Sequence, residues 1–263
     1  MKKLLAIIAV ALAAVFTLSS TSVYAVEGLS VGIKAGLNLA DLYGDDVDAF
    51  SVHRVLPSVN DMKKETKTGA SFGAFVTYDI NDFFAVQPEL LYSMKGARWK
   101  GVWVESMSGN VTYEQTMSLN YLEIPLLAKV SIPIGENFKY NILIGPALGI
   151  ITSAKLKHEI TGVSEYFKQM LEDIGVSTSG EEDIDHAKSI EFGLVFGGGV
   201  DFKLGPGKVI IDARYTLGLT NIFSDISLDY IALFGLEPIY IEDPDIKNSV
   251  ISIMAGYSFS LGK

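Results

Sequence analysis

Apolar and polar residues alternate with a period of two along most of this chain, the mark of strands with one apolar face, because successive strand side chains point to opposite sides. Leu29, Val31, Ile33, Ala35 and Leu37 make one face of the first run, against Ser30, Gly32, Lys34, Gly36 and Asn38. The second sets Phe72, Ala74, Val76 and Tyr78 against Ser71, Gly73, Phe75 and Thr77, and the third sets the even positions Phe84 to Met94 against the odd positions Ala85 to Lys95. Even positions Leu122 to Val130 and Ile142 to Ile150 carry the fourth and fifth. The sixth is the clearest: Phe192, Leu194, Phe196, Val200 and Phe202 alternate with Glu191, Gly193, Gly197, Gly199 and Asp201. Odd positions Val209 to Leu219 and Ile251 to Leu261 complete a set of about eight predicted strands.

The connections decide between a soluble barrel and a membrane one. They run long (39–68), short (80–83), long (98–116), short (133–138), long (152–188), short (204–207) and long (221–248). Short turns at one end and long loops at the other are the pattern of an outer-membrane barrel, with both termini on the short-turn side. The expectation is therefore an all-β, up-and-down antiparallel transmembrane β-barrel of about eight strands, its apolar face toward lipid and its Gly-rich polar face toward a narrow, filled interior. A soluble periplasmic barrel carrying a lipophile would turn the same two faces inside out. Tyr78, Phe83, Phe84, Tyr92, Tyr140, Phe202 and Tyr215 stand near predicted strand ends, where aromatic girdles meet the membrane interfaces.

The start of the chain is of another kind. Lys2 and Lys3 precede an apolar run from Leu4 to Leu18 and a polar stretch ending Val23-Tyr24-Ala25, the order of a secretory signal, so residues 1–25 are expected to be removed and 26–263 to form the barrel domain. Beyond it no apolar run approaches the length of a helical span, although 49% of residues are apolar and the mean hydropathy is +0.31. Cysteine is absent, so stability rests on pairing and packing. The net charge of −10, about −12 without the signal, leaves no basic surface of the kind a nucleic acid needs. Acidity concentrates in the loops: 152–188 holds eight Asp/Glu against four Lys, and 221–248 six against one.

Several segments resemble the PorT-like family of outer-membrane β-barrel proteins: Gly32-Ile33-Lys34-Ala35-Gly36-Leu37-Asn38, Gln87-Pro88-Glu89-Leu90-Leu91-Tyr92-Ser93 with Lys95-Gly96, Tyr121-Leu122-Glu123-Ile124-Pro125-Leu126-Leu127, Asp212-Ala213-Arg214-Tyr215, and Gly218-Leu219-Thr220-Asn221-Ile222. The resemblance implies an outer-membrane barrel of about eight strands. No motif marks a role in secretion. The last strand resembles the signal read by barrel-assembly machinery, with Gly256, Phe259 and Leu261 at the small, aromatic and apolar positions; it departs in Met254 and in Gly262-Lys263 after the last apolar residue.

Nine charges fall on the inward face: Lys34, Glu89, Lys95, Glu123, Lys129, Glu191, Asp201, Asp212 and Arg214. Ions in a tight interior need partners, and four cations opposite five anions suit a salt-bridged plug or a gated polar pathway. The histidines His53, His158 and His186 all fall in predicted loops, and His186 lies near Glu181, Glu182, Asp183 and Asp185, the setting an outer-membrane hydrolase or a metal site would use. A solvated acidic loop explains them with less. Gly197-Gly198-Gly199 interrupts a strand and precedes no helix, which points to close packing or a bend and not a phosphate loop. Residues 164–174 read as a short amphipathic helix burying Phe167, Met170 and Leu171. The last loop carries Tyr230, Ile231, Leu233, Phe234, Leu236, Ile239, Tyr240 and Ile241, apolar enough for strand extensions or a binding surface. No catalytic residue, metal site or cofactor is expected. The expected partners are outer-membrane lipid, the barrel-assembly machinery and an extracellular protein or glycan at the loops, with a small-solute channel as the alternative role and an outer-membrane hydrolase as the remoter one.

Overall fold

The computed structural model describes residues 27–50, 62–105, 109–173, 177–228 and 239–261. The expected signal segment, His53, residues 229–238 and Gly262-Lys263 lie outside them. Among the described residues the strands are β1 (Leu29–Tyr43), β2 (Lys63–Asp79), β3 (Phe84–Glu105), β4 (Gly109–Ile134), β5 (Phe138–Thr161), β6 (Ser179–Asp183), β7 (Ile190–Leu204), β8 (Gly207–Gly218), β9 (Asp225–Leu228), β10 (Ile239–Glu242) and β11 (Lys247–Ser260), with one α-helix, α1 (Glu165–Asp173), and a 3-10 turn at Val47–Phe50. In order β1-β2-β3-β4-β5-β7-β8-β11 they pair antiparallel with their neighbours, and β11 returns to β1. The sheet has closed on itself.

Closure leaves each strand of the wall a neighbour on both sides, so its backbone groups bond to adjacent strands, as a strand wall in lipid requires. Short turns join β2 to β3, β4 to β5 and β7 to β8. In the first, the Asn81 side-chain oxygen accepts from the amides of Phe83 and Phe84, each at 2.9 Å; Gly135 and Gly205 give the other two the positive φ that a tight reversal needs. The amide of Leu261 donates to the Leu29 carbonyl, joining the two ends of the described barrel on the short-turn side.

The wall is inverted relative to a soluble barrel. Leu37, Ile142 and Ile253 are more than half exposed, whereas Lys34, Lys95 and Asp212 are almost fully buried. On β4 the outward apolar run lasts from Leu122 to Ile134, about 13 residues; at ~3.3 Å each and a tilt near 40° this spans roughly 30 Å, the thickness of a hydrocarbon core. Phe138 and Tyr140, and Tyr257 and Phe259, pack edge to face at its short-turn border, while Phe72 with Tyr92 and Phe196 with Tyr215 form tilted pairs within the wall.

Two of the expected loops are strand in large part. β3 and β4 continue to Glu105 and from Gly109, and β5 to Thr161, so the segments 98–116 and 152–161 form a sheet standing above the apolar belt, extended by β6 on β5. The composition of the two faces exchanges there. Above Tyr121 the outward residues of β4 become Asn120, Ser118, Thr116 and Glu114, while the buried inward ones become Leu119, Met117, Gln115 and Val111. β3 and β4 make this exchange without a break in register. β5 makes it with a bulge: Asn120 pairs with Ser153 and Tyr121 with Ile151, leaving Thr152 extra, its hydroxyl donating to the Asn120 carbonyl at 3.0 Å. Below Thr152 the even residues Ile142 and Ile144 face outward; above it the even residues Ala154 and Leu156 turn into the core. β2 carries a register shift against β3 between Thr66 and Ser71.

Candidate functional site

The inward side chains form three polar groups that fill the barrel within the belt, and the structure distributes the nine charged residues among them. Nearest the short turns, Lys129 contacts Asp201 at 2.8 Å; Asn141 donates to the same carboxylate at 2.7 Å and accepts from the Ser131 hydroxyl at 2.7 Å. Above it, Lys34 lies 2.8 Å from Glu89 and 3.1 Å from Asp212, and Arg214 bonds both: Nη1 and Nη2 donate to the two Glu89 oxygens at 2.7 and 3.1 Å, and Nε donates to Asp212 at 2.7 Å. Gln87 donates to Glu89 at 2.6 Å and accepts from Thr77 at 3.0 Å. All four ions here are at least nine-tenths buried and balance in charge.

The third group stands highest and is unequal. Lys95 faces two carboxylates, Glu123 at 2.7 Å and Glu191 at 3.5 Å, and lies 4.5 Å over the Tyr121 ring. The Asn248 amide donates to the Tyr121 hydroxyl at 2.9 Å and to Glu191. A void of about 10 Å³ beside Lys95, Glu123 and Glu191 has room for a single water. Asn38, between these groups, donates to Ser93 and accepts from Ser252.

Space for these long side chains comes from glycines at the same height. A Cβ at Gly197 would stand 2.4 Å from the Ala213 carbonyl oxygen, and one at Gly199 would stand 2.8 Å from the Asp212 Cβ. The triple glycine lets β7 approach β8 closely beside Asp212 and Arg214.

Above Tyr121 the interior is largely apolar. Leu42, Val47, Ala97, Trp99, Met117, Leu119, Tyr121, Ala154, Ile222, Phe223, Ile226 and Ile246 form one buried cluster, with Ile184, Ala187 and Ile241 packed against it. Strand extensions supply one part and the segment between β8 and β11 the other. That segment holds the β9–β10 hairpin, and it is tied down by Lys188 on Asp243 at 2.6 Å and by the Ala187–Phe223 bridge. The inward-facing polar residues had been legible at fixed parity; this apolar plug had not, although Ala97 and Trp99 continue the parity of Ser93 and Lys95.

The remaining candidate residues are scattered. His158 is on β5 and not in a loop, its ring lying against Gly180 of β6. His186 is exposed, its carbonyl accepting from the Ser224 amide, and Glu181 of the neighbouring acidic run pairs with Lys155. Among the described residues no three His, Asp or Glu side chains gather as a metal site would need. α1 forms where expected, but Met170 and Tyr166 are exposed on it; Phe167 and Leu171 lie among the side chains not described. Gly256 and Phe259 lie on β11, with Phe259 half exposed on the outer face and Leu261 just beyond the strand.

The family model described as outer membrane protein beta-barrel domain matches residues 19–224. The chain belongs to that family. It is an outer-membrane β-barrel protein, so its apolar belt lies in lipid, its short turns face the periplasm and its lobe of long strands stands outside the cell. No curated protein matches it. Solved structures similar to this member of the outer membrane beta-barrel domain family include Neisserial surface protein A, at 14% identity over 89% of this chain and 97% of that one, with a TM-score of 0.42. The outer membrane protein OprG of Pseudomonas aeruginosa is 15% identical over 88% and 95%, with a TM-score of 0.40. The attachment invasion locus protein Ail of Yersinia pestis is 16% identical over 89% and 100%, with a TM-score of 0.35.

Proposed function

We propose that this protein is a closed, non-conducting scaffold that holds a folded lobe above the outer membrane, where the lobe binds an extracellular protein or glycan. The observation that carries the reading is the stacking of two different fillings in one barrel. Ion-paired side chains occupy the membrane height, and a buried apolar cluster that includes Trp99 and Phe223 lies over them. An ion that crossed the first layer would still have to shed its water in the second, at a cost of many kcal/mol on the scale of ~20 kcal/mol for full transfer to an apolar medium.

The test is single-channel recording from the refolded barrel in a planar bilayer. Silence at both polarities supports the closed scaffold; reproducible unitary steps would replace it with a narrow small-solute channel. The alternative draws on the void beside Lys95, where the third polar group is least tightly filled.

The nine interior ions act in this reading as a plug that fixes the strand register, not as a pathway. The finer placement in the PorT-like family is supported by the positions of its matching segments: Lys34, Glu89 and Arg214, from three of them, meet in one ion-paired group. Gly256, Phe259 and Leu261 are proposed to be read by the barrel-assembly machinery before insertion, since the outward Phe259 is available on an unpaired β11. The protein is read as a non-enzyme that requires no cofactor, and His158 and His186 serve the lobe's packing and surface.

A further inference from the structure

The three polar groups of the interior differ in charge. Lys129 with Asp201 sums to zero, and so does the quartet of Lys34, Arg214, Glu89 and Asp212, whereas Lys95 alone faces both Glu123 and Glu191. The cations round about are engaged elsewhere. Arg214, one inward step below Thr216 on β8, is bound to Glu89 and Asp212, and Lys247, next to Asn248 on β11, is held by Asp245. Lys67 donates to the Lys95 carbonyl at 3.1 Å and stands partly in water. One negative charge is left over in the third group, among side chains at least nine-tenths buried. An unbalanced ion enclosed at membrane height is costly, so a single positive charge belongs beside it.

The place for it is the void of about 10 Å³, which both carboxylates line. Thr216, only 8% exposed, lines it too, and its hydroxyl has no hydrogen-bond partner among the described residues. Gly149 and Gly193 complete the wall and withhold the side chains that would fill the space. Asn248 Oδ1 is a further enclosed acceptor without a partner, on a side chain whose amide nitrogen already bonds Glu191. Carboxylate and hydroxyl oxygens from β4, β7 and β8 are the donor set of a hard cation. A water would fill the space and leave the charge. A proton would cancel the charge and need no space. An ion with one positive charge does both.

We infer that Glu123, Glu191 and Thr216 bind one monovalent metal cation no larger than a water molecule, sodium being the fitting ion. The bound ion completes the charge balance of the plug and ties β4, β7 and β8 together just below the apolar cluster. The inference goes beyond the scaffold reading and is independent of whether the barrel conducts.

The experiment refolds the full barrel from urea into phosphatidylcholine vesicles at neutral pH and reads the folded fraction by heat-modifiable gel migration. Sodium chloride is replaced stepwise by choline chloride at constant ionic strength, because choline has the same charge and is too large for the void. In wild type the folded-to-unfolded ratio at fixed urea is expected to rise about tenfold for each tenfold in sodium above the dissociation constant, the dependence of one bound ion. Glu191→Gln and Glu123→Gln each leave Lys95 with one carboxylate. Both are expected to lose the sodium dependence and to fold in choline at least as well as wild type. Glu182→Gln removes one exposed carboxylate of β6 and should keep the dependence. A flat response in wild type, an undiminished slope in the two interior variants, their failure to fold in either salt, or an equal loss in Glu182→Gln would each overturn the inference. So would a wild type indifferent to sodium whose stability climbs as pH falls, in a step that Glu191→Gln removes, since that outcome puts a proton in the ion's place.

Discussion

Arg214 on β8 and Glu89 on β3 meet across the inside of the barrel through two guanidinium bonds of 2.7 and 3.1 Å, both side chains fully enclosed. Removing either member leaves the other charge buried with too few partners, which costs about 3–5 kcal/mol in folded proteins. Arg214→Met and Glu89→Leu are each expected to lower the urea midpoint of the barrel in lipid vesicles. The double variant leaves Lys34 with Asp212, a balanced pair 3.1 Å apart, and should fall well short of the sum of the two losses. Additive losses would show that the contact is not an energetic unit.

Trp99 is 1% exposed at the centre of the apolar cluster. Trp99→Ala opens a large hole there at an expected cost of about 3–5 kcal/mol, borne by the lobe and not the belt. Limited proteolysis of the variant in vesicles should cut within 98–116 or 219–248 while heat-modifiable migration persists. Loss of both together would mean that lobe and belt fold as one cooperative unit.

Thr152 is the extra residue of the β5 bulge, and deleting it lets Ala154 and Leu156 keep their inward positions on a regular strand. The Thr152 deletion is therefore expected to fold with a protease-resistant lobe. Deleting Ser118 from β4, where there is no bulge to absorb the shift, turns Met117 and Val111 to water and Thr116 and Glu114 to the core, and should abolish that resistance. Equal outcomes for the two deletions would discount the bulge as the phase shifter.

The lobe's clasp answers to pH. Hydrogen bonding from Lys188 holds the Asp243 carboxyl below its ordinary value, and Lys247 does the same for Asp245, while Asp245 raises Lys247. A depressed carboxyl contributes stability that is complete above its unfolded value near pH 4 and is lost as pH falls through the lower folded value; the raised lysine contributes below about pH 10.4 and loses its part as pH climbs through its folded value. Hydrogen exchange in 219–248, corrected for intrinsic rate, should accelerate below about pH 4, and Asp243→Asn should reduce that acid step. Asp243 is exposed and Lys188, Asp245 and Lys247 are partly so, which makes the effect local and salt-sensitive. An acid step unchanged by the substitution would place its origin in the interior carboxylates.

What the sequence by itself determined was the wall: strand phase, the inward parity of Lys34, Glu89 and Arg214, and the alternation of short and long connections. These are local properties, because a period of two fixes a face as soon as one residue's direction is known. It misassigned 98–116 and 152–161 as loop because their apolar residues occupy the opposite face from the belt: Trp99 and Met117 share parity with Lys95 and Glu123. A strand that passes from lipid to water must exchange its faces, and the exchange reads in sequence as a pattern that ends. Only the tertiary structure decided which inward ions meet, since Glu89 and Arg214 are brought together by closure of the ring. It alone also gathered Trp99 and Phe223 into one buried cluster and set a bulge at Thr152, for these depend on contacts between segments far apart in the chain, and no local periodicity encodes them.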